Sequence, residues 1–170
     1  MVVIEVMEAT SPSDVDAARG LFLEYAASLG FDLGFQDFEA EVAELPGSYA
    51  PPRGALLLAR DSDRLLGCVA LRPLDDEDVC EMKRLYVRPD ARGTGAGRAL
   101  ASAVIAVARK RGYRAMRLDT VPSMSAARGL YRSLGFREVE PYTYNPIPGT
   151  SFMELDLAFA AGPGRDSALG

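Results

Sequence analysis

The 170-residue chain contains no histidine. That excludes His-based triads and the common His metal sites, so any acid–base work falls to Glu, Asp, Tyr, Lys or water. Only two cysteines occur, Cys68 and Cys80, each inside an expected strand. Small buried hydrophobes are the favoured reading of both, over a disulfide or a reactive thiol, and no metal is expected. No apolar run reaches the length of about 18 residues that a membrane helix needs. The N-terminal MVVIEVMEAT lacks the layout of a secretory leader. A soluble cytoplasmic protein with no membrane partner is therefore expected. The net charge of −5 leaves no basic footprint for nucleic acid.

Apolar content of 48% and charged content of 25% are ordinary for a soluble globule. A chain of this size buries on the order of 70% of its unfolded surface and needs no staple. One domain over residues 1–158 is expected. The Gly- and Pro-rich 159–170 is expected to be a disordered tail.

The most informative stretch is Cys80 to Gly112, CEMKRLYVRPDARGTGAGRALASAVIAVARKRG. It reads as a strand ending near Arg88, a stop at Pro89-Asp90, a glycine-rich turn and a helix. Leu100, Val104 and Val107 form the helix's apolar face. The turn places Gly93, Gly95 and Gly97 within five residues, which lets a ligand approach the backbone closely. The first helical amides have no internal partners, and the helix dipole adds about half a positive charge. A phosphate or pyrophosphate is the natural guest, flanked by Arg92 and Arg98. The turn lacks the Gly-Lys-Ser/Thr of a P-loop. It also fails G-x-G-x-x-G, because Arg98 holds the sixth position from Gly93.

What remains is R-x-x-G-x-G, Arg92 to Gly97, and it resembles the acyl-CoA motif of the GNAT superfamily, the Gcn5-related N-acetyltransferases. A second segment, Ala126 to Phe136, resembles that family's A-x-x-L-Y-x-x-x-G-F helix ending. The two together cover about Cys80 to Phe136. The resemblance implies an α/β GNAT-like fold, a mixed central sheet with helices on both faces. It implies acetyl-CoA as cosubstrate and a small-molecule or peptide amine as acceptor, and homodimers are common in the family. The backbone of Leu85, Tyr86 and Val87 would hold the acetyl and pantetheine end. Arg92 and the amides of Gly93, Thr94, Gly95, Ala96, Gly97 and Arg98 would hold the pyrophosphate.

Two catalytic candidates follow. Tyr131 is the expected donor to the leaving CoA thiolate, against a plain core tyrosine on the helix's apolar stripe. A phenol near pKa 10 is a weaker acid than a thiol near 8.5, so a donated hydrogen bond is expected instead of full proton transfer. Glu81, on the central strand, is the candidate base for an acceptor ammonium, whose deprotonation at pH 7 costs about 4–5 kcal/mol. Its competing reading is a structural carboxylate paired with Lys83, two residues on along the same face. The family often carries Asn seven residues before the tyrosine, where this chain has Met124. Ser123 or Ser125 are the local replacements. Tyr142, Tyr144 and Asn145 are candidates for the acceptor site. The face containing Glu81, Lys83, Leu85 and Val87 is not cleanly apolar, nor is the opposite one, so a break in strand alternation is expected. A non-catalytic acyl-CoA sensor is the alternative to the enzyme.

Overall fold

A computed structural model describes residues 2–76 and 78–158. The expected tail, 159–170, lies outside the described residues. In chain order the elements are β1 (Glu5–Glu8), α1 (Pro12–Leu29), α2 (Phe38–Ala43), β2 (Ala55–Asp61), β3 (Arg64–Pro73) and β4 (Val79–Val87). They continue with α3 (Ala96–Lys110), β5 (Ala115–Thr120), α4 (Ser125–Ser133), β6 (Arg137–Val139) and β7 (Ser151–Asp156). The strands form one mixed sheet in the order β1-β2-β3-β4-β5-β7-β6. This is the expected α/β architecture. No helix among the described residues is long and apolar enough to cross a membrane.

Local chemistry sets the helix ends. The Ser11 hydroxyl accepts from the Asp14 N–H at 3.1 Å, Pro12 opens α1, and Gly30 closes it at φ 76°. That conformation favours glycine. β1 begins only at Glu5. Glu5 pairs with Arg60, next to the end of β2 at Asp61, so residues further upstream run past their partner strand.

The sheet carries apolar layers on both faces. α3 and α4 cover one, with Leu100, Val104 and Tyr131 buried against Leu57, Val69 and Met116. α1 and α2 cover the other, with Leu21, Phe22 and Phe38 against Leu56, Leu58 and Cys68. Fully burying one such large side chain contributes about 1.5–3 kcal/mol.

Two irregularities of β4 position the site. First, β4 pairs in parallel with β5 only from Val79–Glu81 to Ala115–Arg117. Beyond that the two strands part, although β4 stays paired with β3 and β5 with β7. The amides of β4 that face β5 are left without ladder partners there. Second, the β3–β4 register slips: Cys68 opposes Tyr86, while Ala70 opposes Lys83. Arg84, at φ 59°, is the extra residue of a bulge. The bulge inverts the alternation. Cys80, Met82, Leu85 and Val87 all belong to the α3/α4 layer. Lys83, Arg84 and Tyr86 reach residues of the α1/α2 side. The mixed nominal faces of the sequence thus resolve into an apolar side and a polar one.

Candidate active site

Two cavities meet where β4 and β5 part. The larger, about 510 Å³, lies between the end of β4, the glycine-rich turn and the start of α4. The smaller, about 40 Å³, lies between the β4 bulge, the end of β5 and the loop after α1. Tyr25, Leu29, Leu85 and Met124 line both, so the cleft continues into the recess.

In the cleft the turn is shaped by conformation and not by crowding. Gly93 and Gly95 sit at φ 81° and 93°, and a Cβ on either would meet open space. Ala99 donates to the Gly95 carbonyl at 3.0 Å and opens the helical ladder. The amides just before it carry no such bond and face a ligand-sized space. Of the residues expected to hold the cofactor, Leu85, Tyr86, Val87, Arg92, Gly93, Gly95, Ala96 and Gly97 line the cleft. The Thr94 and Arg98 side chains are engaged elsewhere. The Thr94 hydroxyl donates to the Ala91 carbonyl, and Arg98 donates to Ser133 Oγ at 2.8 Å. Arg92 donates to the Val87 carbonyl at 3.2 Å, at the rim. Ser123, Met124 and Ser125 all line the wall where the family's Asn is missing.

Tyr131, on α4, lines the recess and is 5% exposed. Burial pushes its phenol well above its ordinary pKa. It can donate a hydrogen bond there and resists ionising.

Glu81 is 1% exposed and does not line the recess. One carboxylate oxygen accepts from Arg72 at 2.7 and 2.8 Å, and the other accepts from the Tyr142 hydroxyl at 2.6 Å. The pairing expected with Lys83 is made instead by Arg72, from the facing strand. Tyr142 is thereby tied to Glu81, and Tyr144 is exposed, edge-on to Phe35. Of the three loop candidates only Asn145 lines the recess.

Among the described residues Asp119 is the only carboxylate lining the recess. Asn145 Nδ2 donates to its Oδ2 at 3.0 Å. Lys83 and Thr120 line the same space. Arg84 lines it too, but its charge is matched by a bidentate pair to Glu41 at 2.8 and 2.9 Å, over the Phe38 ring. Sequence reading did not find Asp119 or Thr120 as site residues. The available signal was their place at the end of the strand after the central helix, beside the break in β4.

Neither cysteine reaches either cavity. Burial pushes the Cys80 thiol up to about 12 and raises Cys68 as well. Both stay protonated and poorly nucleophilic. Among the described residues no group of three or more His, Cys, Asp or Glu could hold a metal.

Comparison with known proteins agrees with this geometry. The model of the acetyltransferase (GNAT) family matches residues 19–136. An uncharacterised N-acetyltransferase of Schizosaccharomyces pombe is 42% identical over 156 residues, covering 91% of this chain and 96% of that protein. A GNAT-family acetyltransferase from Staphylococcus aureus has the same fold, with a TM-score of 0.75 at 20% identity over 91% of this chain and 99% of that one. A Salmonella typhimurium structure holding acetyl-CoA superposes with a TM-score of 0.66 at 21% identity, over 94% and 97% of the two chains. The chain belongs to the GNAT family of acetyl-CoA-dependent N-acetyltransferases.

Proposed function

We propose that acetyl-CoA lies in the 510 Å³ cleft and that an amine in the recess attacks its thioester carbonyl directly. The observation that carries this reading is the junction of the two cavities at Leu85 and Met124, in the gap between β4 and β5. The pyrophosphate rests on amides of the Gly93 to Arg98 stretch, apart from that of Thr94, which donates to the Ala91 carbonyl, with Arg92 at the rim, and pantetheine runs along Leu85 to Val87. The unpaired amides of β4 donate to the carbonyl oxygen as it gains charge. A new N–C bond forms, the C–S bond breaks, and the sulfur leaves as thiolate toward Tyr131. With both thiols buried away from the cavities, no acyl-enzyme step is needed.

The acceptor enters as an ammonium and must lose a proton. Asp119 is the carboxylate in the recess, and it takes that role, directly or through water. Glu81 keeps a positioning role, because Arg72 and Tyr142 occupy both of its oxygens. The small volume of the recess favours a small acceptor over a protein side chain.

Tyr131→Phe tests the thiolate donor. Losing a hydrogen bond to a charged leaving group is expected to lower kcat about 10- to 100-fold. Calorimetry should give a CoA Kd unchanged within about threefold, since the phenol contributes little to ground-state binding. An unaltered kcat would remove this role from Tyr131.

A further inference from the structure

Lys83 is 8% exposed and lines the recess. Its one polar contact among the described residues is a hydrogen bond to Gln36 Oε1 at 3.2 Å, and that oxygen also accepts from Arg84 at 2.8 Å. An ammonium has three donors, so two are left without partners. Burial lowers its pKa; the Glu81 and Asp119 carboxylates work the other way, and the Arg84 and Arg72 guanidiniums add to the lowering, so a bound anion would favour its charged form.

The charges around it are already matched. Glu81 is held by Arg72, and Arg84 is paired with Glu41. Among the described residues Lys83 has no carboxylate in ion-pair contact, and the carboxylate of Asp119 meets only the neutral amide of Asn145. A second observation is independent of these charges. Thr120 is 3% exposed, and its hydroxyl is buried without a hydrogen-bond partner. Buried polar atoms are nearly always satisfied. Here a hydroxyl and an ammonium both fall short, and both line one cavity. That cavity has room on the order of three waters, enough for a carboxylate.

We propose that Lys83 and Thr120 form a carboxylate subsite, and that the acceptor is a free α-amino acid whose ammonium faces Asp119. The recess presents one unmatched cation and one unmatched anion, the complement of a zwitterion. A decarboxylated amine or a peptide N-terminus leaves Lys83 buried without an anion. A diamine adds a second cation beside it. The proposal rests on the recess being the acceptor pocket of the reaction above.

The test compares free amino acids, their C-terminal amides and the matching decarboxylated amines as acceptors from acetyl-CoA. It adds calorimetric binding of the same compounds to the protein saturated with CoA. Free acids are expected to exceed amides in kcat/KM by about 100-fold, the scale of a charge-assisted hydrogen bond. In Lys83→Met that ratio should collapse toward one, with the loss mainly in KM for the free acids. Thr120→Val, nearly the same shape, should lower the ratio about five- to tenfold and keeps the test available if Lys83→Met does not fold. Amides or amines accepted as well as free acids would overturn the proposal. So would a Lys83→Met enzyme that slows on every acceptor in step, because Lys83 would then act on the amine. Amino-acid binding that needs Lys83, without any acetyl transfer, would uphold the subsite and overturn the direct-transfer reading. Transfer without carboxylate preference would do the reverse.

Discussion

Asp119→Asn is expected to lower kcat about 10³-fold at pH 7, within the range for removing a positioned general base. The substitution keeps the shape and leaves an amide oxygen able to accept from Asn145, so the fold should be unaffected. What it removes is the only carboxylate among the described residues that lines the recess. The wild-type enzyme can bind the ammonium form of its acceptor and take the proton in the complex. The variant must wait for acceptor that is already neutral. Its rate should therefore climb about tenfold per pH unit toward the acceptor's own amine pKa, which for an α-amino group lies below the alkylamine value of about 10.4. The wild-type profile should level off earlier. Steady-state rates between pH 6 and 10 check both the size and the slope. Glu81→Gln is the companion variant. If Glu81 is the base, its loss and not that of Asp119 produces the steep profile.

Gly67→Ala is expected to cost much of the stability and to reach the cleft as well. A Cβ at Gly67 would lie 2.3 Å from the Tyr86 carbonyl oxygen, 3.1 Å from Val87 Cα and 3.2 Å from Leu100 Cδ1. The nearest atoms are backbone, so no rotamer change relieves the contact. Overpacking of this kind is expected to cost about 3 kcal/mol or more, a fall in Tm of roughly 10 °C for a domain this size. The strand it would push is the stretch of β4 that lines the cleft. Thermal unfolding should therefore shift together with CoA affinity. A variant with normal Tm would mean that β3 and β4 do not approach each other this closely.

Much of this molecule was legible before its structure. The glycine turn rests on local backbone chemistry, and local chemistry is written in consecutive residues. The two family motifs gave the cleft, because most of its lining comes from one strand, one turn and one helix start. The break in β4 was legible too, since neither face of CEMKRLYV could be made apolar by simple alternation. What could not be read was where the inversion falls. The bulge at Arg84 keeps Lys83, Arg84 and Tyr86 on one side of the sheet and sends Leu85 and Val87 to the other, away from the face they would share with Glu81 and Lys83 by simple alternation. Arg72 takes Glu81 because β3 lies directly opposite, a register set by tertiary pairing. Asp119 went unnoticed for a similar reason. It sits 38 positions after Glu81 and faces the recess only because β4 and β5 stop pairing at Glu81 and Arg117.

The most direct test of the account is acetyl transfer itself. Purified protein with acetyl-CoA and a panel of free amines should release CoA thiol, with one N-acetylated product molecule per thiol by mass spectrometry. The protein should carry no covalent acetyl group at Cys68 or Cys80. Tight CoA binding without any acetylated amine across a broad panel would contradict direct transfer at the junction of the two cavities.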